Sequence, residues 1–220
     1  MVDIAVPYFH ARPATPPPWP GIVVVPEGNG MSPQLLRVCQ RLAHEGYAVA
    51  APDFFWRLGG SDPQRPWDEL SKLRMRDLVQ DVADCLDLLR SAGATKIGVT
   101  GFCMGGRITY AAATWGPPTL DIDAAAPFYG AGIAKGLRAP ICPLRLFYGG
   151  QDRFISPEEI EAVQRHHGDD VVVYPDAEHG FMRDGSDSYS PDAAADAWAR
   201  LLAFFATHLD AVSSTEIGRE

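Results

Sequence analysis

The run Gly21-Ile22-Val23-Val24-Val25 is apolar throughout and β-branched at four successive positions. A strand with one wet face alternates polar and apolar residues. This run does not, so it fits a strand covered on both faces, as in a parallel sheet between helices. It closes in Pro26-Glu27-Gly28-Asn29-Gly30, a loop by composition. Ser32-Pro33 then supplies an N-cap and a proline for the first helical position. Leu35, Leu36, Val38 and Leu42 follow on helical spacing, Gly46 ends the helix, and residues 47–51 read as the next strand.

The same alternation continues along the chain. Residues 54–66 read as a loop, and residues 67–90 are helical in period, with Leu78, Val82, Leu86 and Leu89 on one face. Residues 96–100 form a strand that runs directly into Gly101-Phe102-Cys103-Met104-Gly105-Gly106, with a helix over 107–115. Further strands are expected at 124–128, 144–148 and 170–174, and helices at 157–167 and 193–209. This pattern predicts an α/β fold, a mostly parallel central sheet with helices on both faces. The 220 residues suit one domain. A possible edge strand at 3–10 and a proline-rich link precede it within 1–20, and residues 211–220 read as a polar tail.

Composition narrows the functions open to such a chain. The net charge of -9 repels phosphate backbones and argues against a nucleic-acid partner. No apolar run approaches the roughly 20 residues of a membrane span, and the N-terminus lacks the pattern of a secretory signal. Cys39, Cys85, Cys103 and Cys142 form no CxxC pair and no zinc-like spacing. A reduced, cytoplasmic protein without metal or organic cofactor is expected, as a monomer or weak homo-oligomer.

The chemistry concentrates in Gly101-Phe102-Cys103-Met104-Gly105. This has the form of the nucleophile elbow G-x-S-x-G, with cysteine for serine. The elbow presents one side chain from a strained strand-to-helix turn. Flanking glycines relieve the crowding, and the helix N-terminus favours developing negative charge. The plainer alternative is a glycine-rich turn with a buried cysteine. Cys39, Cys85 and Cys142 read as packing residues.

A thiol nucleophile needs a base, and the base an orienting acid. In α/β-hydrolases the chain order is nucleophile, acid, base. Asp152 follows the strand at 144–148 and His179 the strand at 170–174, which supplies that order. Each alone could be an ordinary loop residue. His10, His44, His166, His167 and His208 are worse placed. Glu27 stands directly after the buried strand, and bare sequence favours a solvated loop carboxylate there. The backbone amides of Gly28 and Met104 are the expected oxyanion donors.

Together, GFCMGGR, YGGQDRFI, AEHGF and VVVPEGNG resemble the dienelactone hydrolase (carboxymethylenebutenolidase) family over about 23–205. The resemblance implies hydrolysis of an enol lactone through a Cys103-His179-Asp152 triad and a thioester. It also implies that Glu27 helps control the nucleophile. It points to Arg183 of an H-x-F-x-R pattern, with Phe181, as contacts for a carboxylate-bearing small substrate. A second arginine is expected from the region after the third strand. Arg57 leads there, and Arg65, Arg74 and Arg76 compete. Gly180 and the segment 28–30 depart from the family pattern, so ester hydrolysis carries over better than the exact lactone. A carboxylesterase or thioesterase on the same residues, or a noncatalytic binding module on this fold, are the alternatives.

Overall fold

The computed structural model describes residues 6–60, 70–116 and 120–209. The expected strand residues 3–5, the helical residues 67–69, Arg65 and the tail at 211–220 lie outside them. Seven strands make one sheet among the described residues: β1 (Tyr8–Ala11), β2 (Trp19–Val25), β3 (Ala48–Pro52), β4 (Ala94–Phe102), β5 (Ala124–Phe128), β6 (Leu146–Gly149) and β7 (Val171–Tyr174). Their order is β1-β3-β2-β4-β5-β6-β7. Only β1 runs antiparallel, against β3. The other pairings are parallel.

Among the described residues five α-helices flank the sheet: α1 (Pro33–His44), α2 (Met75–Ser91), α3 (Met104–Trp115), α4 (Pro157–His167) and, after the last strand, α5 (Pro191–Leu209). The Ser32 hydroxyl accepts from the Leu35 amide at 3.2 Å, and Ser156 caps α4 through Glu159 in the same way. A proline follows each cap at the start of its helix. Pro33 and Pro157 sit where the missing amide costs nothing.

The uninterrupted run in β2 has the surroundings its composition demands. Ile22, Val23, Val24 and Val25 are all fully buried, each worth roughly 1.5–3 kcal/mol of burial. Helices cover both sides of the sheet at this point. Gly21 and Ile97 are register partners and share a face, and a Cβ on Gly21 would meet Leu89 of α2 at 3.3 Å. Gly98 points the other way, where a Cβ would lie 2.5 Å from Phe205 and 3.1 Å from Leu209 of α5. The small residues of β2 and β4 thus set how closely the two layers approach.

Two boundaries depart from the sequence expectation for physical reasons. α3 begins at Met104, not at 107. Gly105 and Gly106 are poor helix formers, but their lack of side chains lets the helix start against the sheet. The loop expected at 54–66 opens with a 3₁₀ turn, Phe54–Leu58, capped by the Asp53 carboxylate, which accepts from the Phe55 amide. Phe54 and Phe55 are buried beneath it.

Candidate active site

Cys103 is the single residue between β4 and α3. Its backbone lies at φ 56°, ψ -117°, a conformation sparsely allowed for a residue with a Cβ and found where the surroundings hold it. The Cys103 amide donates to the Phe128 carbonyl of β5 at 3.1 Å. The glycines around it allow this packing. A Cβ on Gly105 would lie 2.2 Å from the Val25 carbonyl oxygen, and one on Gly106 would lie 2.2 Å from that of Phe128. The first turn of α3 is therefore wedged between the carboxyl ends of β2 and β5. Cys103 is half-buried, whereas Cys39, Cys85 and Cys142 are buried.

Asp152 and His179 lie in the loops that follow β6 and β7. Asp152 is held rigidly, since its Oδ1 accepts from the amides of Phe154 at 2.8 Å and Ile155 at 3.1 Å. Its Oδ2 lies 2.7 Å from His179 Nδ1. The pair is nearly dry, with side-chain exposures of 0 % for Asp152 and 8 % for His179. Burial alone pulls the His179 pKa down. The hydrogen bond to Asp152, with the Cys103 side chain and the charges of both, outweighs it and pushes the imidazole up to about 9. So the same ring interacts with both the carboxylate and the elbow thiol. Two aromatic rings meet it edge-on: Tyr129 at 5.0 Å and Phe154 at 4.9 Å between centroids.

Glu27 is buried at the end of β2, 7 % exposed, and its carboxylate accepts from the Arg183 guanidinium. The solvated setting that bare sequence favoured is not the one found. Arg183 reaches back from the loop after His179, across 156 positions of sequence. Met104 is the first residue of α3, and Gly28 lies in the turn closed by the Gly30 amide on the Glu27 carbonyl at 2.9 Å. Among the described residues, no three His, Cys, Asp or Glu side chains gather as metal ligands would, and no helix is long and apolar enough to cross a membrane.

The dienelactone hydrolase family model matches residues 6–209. The chain belongs to the dienelactone hydrolase family. It is 35 % identical over 228 residues to a candidate carboxymethylenebutenolidase of Escherichia coli, covering 91 % of this chain and 82 % of that one. A solved candidate dienelactone hydrolase from Klebsiella pneumoniae superposes with a TM-score of 0.82 at 29 % identity, over 91 % of this chain and 92 % of that one. A dienelactone hydrolase-like promiscuous phosphotriesterase from metagenomic libraries gives 0.67 at 26 % identity, over 87 % of each chain. The fold is that of an α/β-hydrolase, and the chain is a hydrolase of esters or lactones.

Within this family member, two residues expected as substrate contacts have other surroundings. Phe181 is fully buried, with its ring between Tyr129 at 5.4 Å and Tyr174 at 5.1 Å. It supports the site from behind and has no face open to a ligand. Arg57 is taken by Asp81 of α2, with both terminal nitrogens on the two carboxylate oxygens. Asp81 is 1 % exposed and has lost its hydration, so Arg57 neutralises a buried charge. Arg74 pairs with Asp77 one helical turn along. Sequence reasoning also passed over Tyr129 and Phe154. The available signals were position alone: Tyr129 directly follows β5 at the carboxyl edge of the sheet, and Phe154 stands two residues after Asp152.

Proposed function

We propose that this hydrolase cleaves a small ester or lactone with Cys103 as nucleophile, His179 as general base and acid, and Asp152 as the group that orients His179. The observation that carries this is the position of His179: its Nδ1 is held by the buried Asp152 while the same ring interacts with the Cys103 thiol. An imidazole whose charged form is favoured can hold the thiol proton before attack.

In the proposed sequence the Cys103 sulfur forms a bond to the carbonyl carbon. The negative oxygen so formed is met by the amides of Gly28 and Met104 at the mouth of α3. The carbon–oxygen ester bond then breaks, and the leaving oxygen takes the proton from His179. Water attacks the resulting thioester, giving its proton to His179. The carbon–sulfur bond breaks, the carboxylic acid leaves, and the thiol is restored. An enolate or aryloxide is a good leaving group for this route, because the thiolate must depart less readily than the oxygen in the first step.

An enol lactone of the dienelactone type is the substrate the family membership favours. Arg183 would be one cation for its carboxylate. Arg183 is already paired with Glu27, so a substrate carboxylate at Arg183 must share or take it from Glu27. That pairing favours a second reading, in which neutral aryl esters and acyl thioesters are turned over as well. A panel of dienelactones, aryl esters and thioesters ranks the two. The core of the proposal is tested by Cys103→Ala together with mass mapping of the quenched enzyme. Loss of turnover and an acyl group on the Cys103 peptide of the wild type support it. Full turnover by Cys103→Ala overturns it.

A further inference from the structure

A cleft of about 370 Å³ lies between α1, α5 and the loop that joins β7 to α5. Cys103, Asp152, His179, Glu27 and Arg183 take no part in its lining. Both helices descend from the carboxyl rim of the sheet. At the helical rise, Arg41 stands about 12 Å along α1 and Trp198 about 10 Å along α5. The cleft therefore belongs to the helical layer on the flank of the molecule.

Arg37 and Arg41 are four residues apart on α1, so they leave the helix on one face, and both line the cleft. The Arg41 guanidinium lies over the Trp198 ring, 3.9 Å from its centroid. That contact positions the guanidinium and uses none of its N–H donors. Arg37 is held by Gln34, whose Oε1 accepts from one terminal nitrogen at 2.7 Å. Neither guanidinium has an ion pair among the described residues. Asp184 lines the same cleft and pairs with neither. Trp198 is 4 % exposed, and its indole N–H has no hydrogen-bond partner among the described residues. A buried donor of this kind is costly until an acceptor reaches it. Val38, Met182 and Ala194 give the cleft an apolar wall.

Two guanidiniums and an indole N–H around one space call for an oxyanion. A single guanidinium can occupy both oxygens of a carboxylate, which leaves the second guanidinium idle. A phosphate monoester has three terminal oxygens and a charge near -2 at neutral pH, so it can bridge both. The cleft falls within the roughly 300–1,000 Å³ of small-molecule sites, more room than the phosphate group alone fills. The apolar wall suits the carbon body of an ester.

We propose that this cleft binds a small phosphate monoester with a compact apolar body. Arg37 and Arg41 hold the phosphate, and Val38, Met182 and Ala194 cover the body. The site stands apart from the ester-cleaving centre, and its ligand is not the substrate cleaved there.

Titration calorimetry of the full chain with phenyl phosphate tests this. The wild type is expected to bind it more tightly than inorganic phosphate, benzoate or phenol, and less tightly as salt is added. Arg37→Gln and Arg41→Gln should each weaken binding about ten- to hundredfold. Both variants should keep the turnover of a neutral aryl ester, which also shows that they are folded. In proton–nitrogen NMR, the Trp198 indole signal, identified by its loss in Trp198→Phe, should shift as phenyl phosphate is added. Undiminished binding in both glutamine variants, or an unmoved indole signal, places the ligand elsewhere and overturns the site. Benzoate or inorganic phosphate binding as tightly overturns the ligand class, and no binding at millimolar phenyl phosphate overturns both.

Discussion

Asp152→Asn isolates the interaction on which the electrostatics of the site turn. His179 titrates near 9 in the folded protein, against an ordinary value of 6.5, although its burial acts in the opposite direction. Because the folded value is raised, the native state binds a proton that the unfolded chain releases between these two pH values. The stabilisation is present in full below about pH 6.5 and is lost as pH rises through about 9. Converted at ~1.4 kcal/mol per pH unit, it is at most about 3–4 kcal/mol, and the low exposure of both side chains leaves little solvent screening to reduce it. In Asp152→Asn the carboxylate's attraction is gone and burial remains, so the His179 pKa should fall well below 9. Urea unfolding at intervals from pH 6 to 9.5 reads the stability, and proton NMR of the imidazole reads the titration. The wild-type midpoint should decline across that window, and the decline should shrink or vanish in the variant. Turnover at pH 7 should fall roughly 10³- to 10⁴-fold, as it does when the orienting carboxylate of a triad is lost. Equal pH slopes in the two proteins, or a wild-type His179 that titrates near 6.5, would refute the reasoning.

Other substitutions separate packing from chemistry. Gly105→Ala should destabilise the protein by at least about 2 kcal/mol, because its Cβ would lie 2.2 Å from the Val25 carbonyl oxygen. Helix propensity alone would favour alanine by about 1 kcal/mol, so a raised melting temperature would show the wedge to be slack. Arg57→Met should cost about 3–5 kcal/mol by stranding the Asp81 charge, with KM for a carboxylate-bearing aryl ester unchanged in the folded enzyme. A raised KM with little change in stability would return Arg57 to the substrate. Tyr129→Phe removes a buried hydroxyl that has no partner among the described residues and keeps the ring against His179. Differential scanning calorimetry should show stability unchanged or raised by about 1 kcal/mol.

What could be read from the sequence, and what could not, divides by the range of the interaction. The strand at Ile22–Val25, the capped helices after Ser32 and Ser156, and the elbow around Cys103 are written in neighbouring residues, where composition and spacing are the physics. The pairing of Glu27 with Arg183 spans 156 positions, and no local pattern at Pro26-Glu27-Gly28 shows that this carboxylate is buried. The surroundings of Arg57 and Phe181 are hidden from the sequence for the same reason. A guanidinium is drawn equally to a substrate or to Asp81, and only the packing of α2 beneath the 3₁₀ turn decides between them. The start of α3 inverts a local rule: Gly105 and Gly106 weaken a helix in isolation, yet the sheet leaves no room there for any other residue.

The geometry also explains why the order of residues along the chain is informative. In a parallel sheet every strand delivers its next loop to the same edge. β2, β4, β5, β6 and β7 therefore carry Glu27, Cys103, Tyr129, Asp152 and His179 to one rim in sequence order. Chain order predicts this convergence but leaves the angles open. Those are set by the backbone strain at Cys103, the two amides that grip Asp152 Oδ1, and the rings of Tyr129 and Phe154 that meet the imidazole edge-on. A substitution that preserves the order but loosens one of these supports should lower kcat more than it lowers stability, since the catalytic contacts depend on distances much finer than the fold does.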